Sequence, residues 1–199
     1  NPETIWVGTG ESNMRNSVSV GEGLYKSVDA GESWKKVGLE GTEHISKIEI
    51  DPSNSDVVYV AAPGPLWGDS PERGLYKTMN GGATWEKVLF IDDHTGCADV
   101  MIDPKDPNVV YASMWDFRRK PWSFSSGGPG SGLYKSTDGG VTWNRIDKGF
   151  TDGLLGRIIL AMSPSDSKII YAIAEAKSTA LFKSTDGGET WTKKSSSSN

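Results

Sequence analysis

Apolar and polar residues alternate over four short stretches of the chain, and each stretch runs into a turn-forming sequence. The third stretch, GLYKSTDGGVTW at residues 132–143, shows the pattern. Its Leu-Tyr-Lys-Ser segment has the alternation of a half-buried strand. The Asp-Gly-Gly that follows favours a tight turn, because glycine adopts positive φ without steric cost. Each stretch therefore predicts a β-hairpin, and the other copies lie at residues 23–34, 74–85 and 180–191.

A second motif recurs between the hairpins: an apolar run, a Pro-containing turn and a second apolar run. Ile48–Pro52 leads to Val57–Ala61, and the same succession occurs at 100–112 and 160–172. Because Pro cannot continue a central strand and Asp or Ser beside it favours a turn, each copy predicts two antiparallel strands. The chain start aligns with the second half of this motif, with Trp6 where the other copies have tyrosine.

The two motifs alternate, so one repeat contains four strands, which we name A to D in chain order. The tryptophans that end the hairpin stretches lie 51, 58 and 48 residues apart, a period typical of propeller blades. We predict an all-β fold, a β-propeller arc of about four four-stranded antiparallel blades that is part of a larger propeller. The first blade lacks strand A, and a closed four-bladed ring is the second possibility. The predicted domain spans residues 1–194, with blades near 1–37, 45–90, 98–147 and 157–194 and a frayed Ser-rich tail at 195–199.

Composition agrees with this class and argues against several functions. The chain has 24 glycines and eight tryptophans among 199 residues and no long amphipathic helical pattern. Its net charge is −5, and no run of Lys or Arg exceeds three residues, so we expect no nucleic-acid partner. No apolar run approaches twenty residues, so we expect no membrane span. The single cysteine, Cys97, excludes an internal disulfide framework, and no residue pattern calls for a cofactor or a metal ion.

The hairpin stretches resemble the Asp-box, also called the bacterial neuraminidase repeat, whose pattern is S-x-D-x-G-x-x-W. In families that carry it (sialidases, xyloglucanases, sortilin-like receptors) the box lies on a hairpin at the periphery of a β-propeller and is not catalytic. A calcium loop is disfavoured, because the alternating oxygen ligands and the closing Glu are missing. The second copy departs from the pattern with Thr and Asn in place of Ser and Asp. The residues assigned to structural Asp-boxes are Ser27, Asp29, Trp34, Thr78, Asn80, Trp85, Ser136, Asp138, Trp143, Ser184, Asp186 and Trp191.

The whole chain resembles the N-terminal propeller of bacterial sortilin-like, glycosyl-hydrolase-type repeat proteins. The stretches that carry this resemblance are GTGESNMRNSVSVGEGLYKS at residues 8–27, EHISKIEIDP at 43–52, ERGLYKT at 72–78 and SGLYKSTDGGVTW at 131–143. Such proteins are usually exported, so the resemblance implies a periplasmic or extracellular location.

The loops of the predicted blades divide between the two faces of the propeller. The A–B and C–D turns are short and uniform, whereas the B–C and D–A loops on the other face vary in length and carry unusual residues. Variable loops on a rigid scaffold are where binding is usually found, and exposed Trp and Arg dominate recognition sites. Alternatively, each tryptophan side chain is buried between loops that pack on each other. The predicted ligand-binding face comprises Glu11, Arg15, His44, Trp67, Arg73, His94, Trp115, Arg118, Arg119, Trp122 and Arg157.

Three functions remain compatible with these residues. The first is a non-catalytic binding or scaffold propeller of an exported protein that presents this Trp- and Arg-rich face to a glycan or peptide, together with further blades or another chain. The second is a sialidase- or xyloglucanase-like glycoside hydrolase, which needs two carboxyl groups across the scissile bond. The third is a purely structural part of a surface assembly. The candidate acids for the second function are Glu11, Asp69, Asp92, Asp93, Asp99 and Asp116.

Overall fold

The computed structural model describes residues 1–150 and 153–196, and over these residues it contains sixteen strands and one short 3-10 helix, Glu40–Thr42. The strands form four antiparallel sheets, each of which corresponds to one predicted blade. The all-β blade architecture is therefore confirmed. The strands are β1 (Ile5–Gly8), β2 (Leu24–Ser27), β3 (Lys35–Lys36), β4 (Lys47–Ile50), β5 (Val58–Ala62), β6 (Gly74–Thr78), β7 (Glu86–Leu89), β8 (Thr95–Ile102), β9 (Val110–Lys120), β10 (Ser123–Ser126), β11 (Gly132–Ser136), β12 (Asn144–Arg145), β13 (Ile158–Met162), β14 (Ile170–Ala174), β15 (Ala180–Ser184) and β16 (Thr192–Ser196).

The four blades differ in strand number. Blade 1 (β1–β3) has three strands and lacks an inner strand, blades 2 (β4–β7) and 4 (β13–β16) have four, and blade 3 (β8–β12) has five. The fifth strand arises because β9 runs eleven residues and pairs with β10, Phe124 opposite Arg119. The third B–C connection, predicted as an irregular loop, is therefore largely a β-hairpin. The alternation of Trp115, Phe117 and Arg119 on one face of β9 could have indicated this extension.

The end of the chain also differs from the prediction. Strand β16 pairs with β15 as far as Ser196, so residues 195 and 196 belong to the sheet and are not a frayed tail. Residues 197–199 of the predicted tail lie outside the described residues.

Apolar cores lie between successive blades. Leu24 and Val60 pack between blades 1 and 2, Cys97 and Val100 between blades 2 and 3, and other buried clusters continue to blade 4. Buried apolar surface between sheets supplies the main stabilisation of such a fold. Because each blade buries its faces against its neighbours, the arc depends on apolar contacts between consecutive blades.

The inner strands β4, β8 and β13 line an open groove with a volume of about 380 Å³. Its walls are mainly apolar, and Lys47 and Glu49 form an ion pair of 3.3 Å at its edge. Burial raises the pKa of the Glu49 carboxyl.

All four hairpins contain the same hydrogen-bond network. In the third, Ser136 Oγ donates to Asp138 Oδ1 (2.7 Å) and accepts from the Gly140 amide (2.8 Å). The divergent second copy reproduces the network, because Thr78 Oγ1 donates to Asn80 Oδ1 (2.9 Å) and accepts from the Gly82 amide (3.0 Å). A threonine hydroxyl and an amide oxygen thus substitute for Ser and Asp. These bonds satisfy turn amides that strand pairing leaves free.

The four hairpin tryptophans occupy two kinds of position. In the first and third hairpins, the indole N–H donates to a glycine carbonyl of its own turn: Trp34 to Gly31 (3.0 Å) and Trp143 to Gly140 (3.1 Å). The indole groups of Trp85 and Trp191 instead donate to carbonyls of the preceding blade, Val37 O (2.7 Å) and Ile146 O (2.9 Å). These two tryptophans therefore also connect blades.

Candidate ligand-binding face

The first B–C loop reaches across the arc to the later blades. Arg157, at the start of blade 4, extends its guanidinium to Ser12 O and Asn13 Oδ1, both at 3.4 Å. Arg119 on β9 donates to Met14 O (3.2 Å). These contacts join residues more than 100 positions apart, so loops of blades 1, 3 and 4 gather on one face.

An exposed ionic cluster on this face joins three further connections. Asp69 of the second B–C loop forms an ion pair with Arg118 of β9 and lies 2.7 Å from Nδ1 of His94, in the following D–A loop. Arg118 Nη2 is 3.2 Å from the same histidine nitrogen. Exposed ion pairs contribute only about 0–1 kcal/mol to stability, so the cluster is not needed to hold the fold. It instead fixes hydrogen-bond donors and acceptors at the surface.

Two tryptophans of the predicted face are exposed and lie close in sequence to residues of this cluster. Trp67 lies two residues before Asp69, and its side chain is about half exposed. Trp122 lies at the turn between β9 and β10 and is 82% exposed, the highest value among the exposed large hydrophobic residues of the described chain. Exposure of large aromatic side chains is costly, and such positions commonly mark recognition surfaces.

Three predicted face residues are buried instead, and the prediction for them was wrong. The Arg73 guanidinium is fully buried and donates to Pro63 O (2.5 Å), Pro65 O (2.5 Å) and Gly68 O (3.0 Å). It lies 4.4 Å from the ring centroid of Phe117. Arg73 therefore anchors the second B–C loop through these hydrogen bonds. Burial lowers the pKa of Arg73 to about 10.

The other two buried residues pack beneath the loops. Trp115 stacks on Phe117 with ring centroids 4.2 Å apart and donates from Nε1 to Ser126 Oγ (2.8 Å). With Leu66 they form a small apolar core under the face. His44 is fully buried, and neither ring nitrogen has a hydrogen-bond partner among the described residues. Burial, followed by the nearby positive charge of Arg73, lowers the pKa of His44.

Four of the remaining predicted residues contact other residues of the loops on this face. Arg119 stacks 4.3 Å over Phe124, and Arg157 lies 5.4 Å over Trp115. Glu11 and Arg15 pair with each other at 2.7 Å on the first loop. Both side chains remain exposed, 62% for Arg15 and 40% for Glu11, so this ion pair is also accessible on the face.

The candidate acids occupy different environments. Asp99 is buried, and its carboxylate accepts from the amides of Val100 (3.0 Å) and Leu160 (2.8 Å), so it connects the inner strands of blades 3 and 4. Asp116 is half-buried, and burial followed by repulsion from Asp92 raises its pKa. Within residues 1–150 and 153–196, no group of three or more His, Cys, Asp or Glu side chains could hold a metal ion.

Sequence reasoning missed Glu175. Its carboxylate accepts from Ser126 Oγ (2.5 Å) and from the Arg157 amide (3.1 Å), so it ties the β10 hairpin to blade 4. The fourth B–C loop is short, and a lone carboxylate directly after β14 was the available indication. Cys97 is buried, as a packed thiol requires, and burial raises its pKa.

The comparisons with known proteins agree with the geometry of the hairpins. The family model of the BNR/Asp-box repeat matches residues 134–145 and 182–193. The chain carries Asp-box repeats on a β-propeller fold. The first two Asp-boxes lie outside the matched residues, although their hydrogen bonds are the same.

Two curated relatives are xyloglucanases. One, from Paenibacillus sp, is 24% identical over 169 residues, which is 73% of this chain and 15% of the relative. The other, from Hypocrea jecorina (strain QM6a), is 32% identical over 147 residues, 62% of this chain and 16% of the relative. This Asp-box chain thus spans about a sixth of the length of these relatives.

A solved structure supports the fold. The GH74 enzyme of Niastella koreensis superposes with a TM-score of 0.68 at 20% identity, covering 97% of this chain and 28% of that one. The described part of the chain has no helix with the length and hydrophobicity needed to cross a bilayer.

Proposed function

We propose that this Asp-box chain is part of an exported propeller that binds a glycan on the face formed by Trp67, Asp69, His94, Arg118 and Trp122. The observation that carries the proposal is the position of two exposed tryptophans within four residues of the ionic cluster: Trp67 precedes Asp69, and Trp122 follows Arg118.

The chemistry of this face suits a sugar. A pyranose ring presents a flat set of C–H groups that can lie on an indole, and hydroxyl groups around its edge that donate and accept hydrogen bonds. The tryptophans supply the first type of surface, and the Asp69–Arg118–His94 cluster supplies fixed donors and acceptors for the second. The two relatives named xyloglucanase, matched over 62% and 73% of this chain, support a glycan over a peptide.

The test is binding of xyloglucan oligosaccharides by isothermal titration calorimetry. We expect Trp122→Ala and Trp67→Ala each to weaken binding about tenfold, since losing a central aromatic contact costs about 1–2 kcal/mol. The matched control is Trp34→Ala, which removes a half-exposed tryptophan from a hairpin turn on the opposite face. Equal losses in all three variants would contradict the assignment of the face, and binding to a peptide panel alone would favour the peptide ligand.

A second candidate, glycoside hydrolysis, is favoured by the contrast between Asp69 and Asp116. Asp69 is ion-paired with Arg118, whereas burial raises the pKa of Asp116. Two carboxyl groups whose environments differ in this way are typical of an acid and its partner in glycosidases. Release of reducing sugar from xyloglucan that is abolished by Asp116→Asn, with oligosaccharide binding retained, would support it; binding without turnover in the unmodified chain would exclude it for this piece.

A further inference from the structure

His44 is buried beneath the face, and both of its ring nitrogens are unpaired within residues 1–150 and 153–196. Nearly all buried polar groups in native proteins are hydrogen-bonded, so this imidazole is an energetic cost that the fold retains. The ring contacts the base of the first B–C loop, residues 11–20, because a β-carbon at Gly10 would lie 2.9 Å from His44 Nδ1. An unpaired titratable group is thus packed against a loop of the candidate face.

The two residues that flank His44 anchor both ends of this loop. The carbonyl of Glu43 accepts from the amide of Gly21 (2.8 Å), and the amide of Ile45 donates to the carbonyl of Thr9 (3.2 Å). These bonds join the loop to the segment that contains the imidazole. A movement of His44 out of its buried position would therefore displace both anchors.

The segment that contains His44 has an unfavourable backbone conformation. Leu39 (φ 63°) and Glu43 (φ 55°) adopt positive φ on either side of the 3-10 helix Glu40–Thr42. Residues with a β-carbon rarely adopt this region, and such conformations persist only where the surrounding contacts enforce them. Loss of the contacts with the loop would therefore let this segment relax.

The charges around the ring disfavour its protonation. Burial and the positive charge of Arg73 lower the pKa of His44, and Glu11 acts in the opposite direction. The Glu11 carboxylate already accepts from Arg15 (2.7 Å) and from the amide of Ser19 (2.8 Å). An imidazolium would therefore face the Arg73 cation, while the opposing charge is engaged elsewhere. The acidic groups that act on Arg73 itself are Glu43, Asp92, Asp93 and Asp116.

We propose that protonation of His44 releases the first B–C loop from the face. The closed loop holds a neutral, buried ring, because an unpaired charge is far more costly to bury than a neutral group. In the released loop the ring meets water and binds a proton with its ordinary pKa of about 6.5, which is higher than in the closed loop. Since the form that binds the proton more tightly gains stability as pH falls, acid favours release. The inference rests on the fold and is independent of glycan binding.

Release of the loop would free two cations of the face. Arg119 donates to Met14 O (3.2 Å), and Arg157 extends to Ser12 O and Asn13 Oδ1 (both 3.4 Å). These distances are at or beyond the long end of the usual range for N–H···O bonds, so the bonds oppose release only weakly. The face would thus have two states, which differ in whether these guanidinium groups are engaged by the loop or open to solvent.

Methionine oxidation by hydrogen peroxide, followed by peptide mass spectrometry, tests this switch in the 199-residue chain. Met14 lies in the loop and packs against the apolar cluster beneath it, so its oxidation reports loop release. Met79 is 69% exposed and serves as the reference, whereas Met114 is fully buried and reports global unfolding. A thioether does not titrate between neutral and mildly acidic pH, so the ratio of Met14 to Met79 oxidation measures the loop and not the reagent.

We expect this ratio to rise about tenfold between pH values of about 7.5 and 5, with Met114 protected throughout; such a rise corresponds to about tenfold tighter proton binding in the released loop. In the matched variant His44→Gln, whose side chain stays neutral, the ratio should not change with pH. If oxidation of Met114 at neutral pH shows that this variant is unfolded, NMR titration of the unmodified chain decides, because the His44 ring and Met14 oxidation must share one midpoint. A constant ratio in the unmodified chain, a rise that persists in folded His44→Gln, distinct midpoints, or joint oxidation of Met14 and Met114 would each overturn the proposal.

Discussion

The fully buried guanidinium of Arg73 gives the sharpest prediction, because one side chain supports the loop that presents both Trp67 and Asp69. Arg73→Met keeps most of the aliphatic volume against Phe117 but leaves three loop carbonyls without their donor. Each unsatisfied acceptor costs about 1–3 kcal/mol when it stays out of water. Burying the cation costs several kcal/mol of desolvation in the wild-type chain. Because the substitution removes that cost, it offsets part of this loss. We expect the free energy of unfolding to fall by about 2–4 kcal/mol.

Urea unfolding followed by tryptophan fluorescence measures this change. The matched control is Arg15→Met, because Arg15 is exposed and forms an exposed ion pair with Glu11; it should alter stability by less than about 0.5 kcal/mol. Arg73→Lys should recover little, since an ammonium cannot reproduce the planar fork that reaches several acceptors at once. If Arg73→Met unfolds at the wild-type midpoint, or Arg73→Lys restores full stability, the proposed support of the loop is wrong.

Two further predictions concern pH. Hydrogen bonds lower the pKa of Asp29, Asp138 and Asp186 to about 2, with Ser27 the largest cause for the first and Thr142 and Thr190 for the others. A folded pKa below the unfolded value of about 3.9 means stability that is present at neutral pH and lost as pH falls from about 4 to 2. Asp138→Asn should reduce the fall of the urea unfolding midpoint at acid pH. An unchanged fall would argue against the Asp-box as its source. The lowered pKa of buried His44 predicts a separate loss of stability as pH falls below about 6.5. His44→Gln should reduce this loss, and an unchanged loss would argue against His44 as its source.

The sequence predicted local structure well because the interactions involved are short in range. The hydrogen bonds of the Asp-box join residues two to four positions apart, as in Ser136, Asp138 and Gly140. A short sequence motif therefore includes every residue that takes part in them. The loops that the sequence singled out meet in the structure, as Arg119 and Arg157 contact the first B–C loop. It did not predict the β9–β10 hairpin, whose apolar alternation lies beside a Gly/Ser-rich segment and three consecutive basic residues.

The chain by itself therefore determined the strands, the turns and the order of the blades, since hydrophobic alternation and turn chemistry act between near neighbours. Only the tertiary structure decided which loop side chains meet solvent. His44, Arg73 and Trp115 have the same residue types as a recognition surface, yet the folded loops bury them. Contacts such as that of Arg157 with Ser12, 145 residues away, depend on how the blades are arranged around the groove, and no local pattern encodes that arrangement.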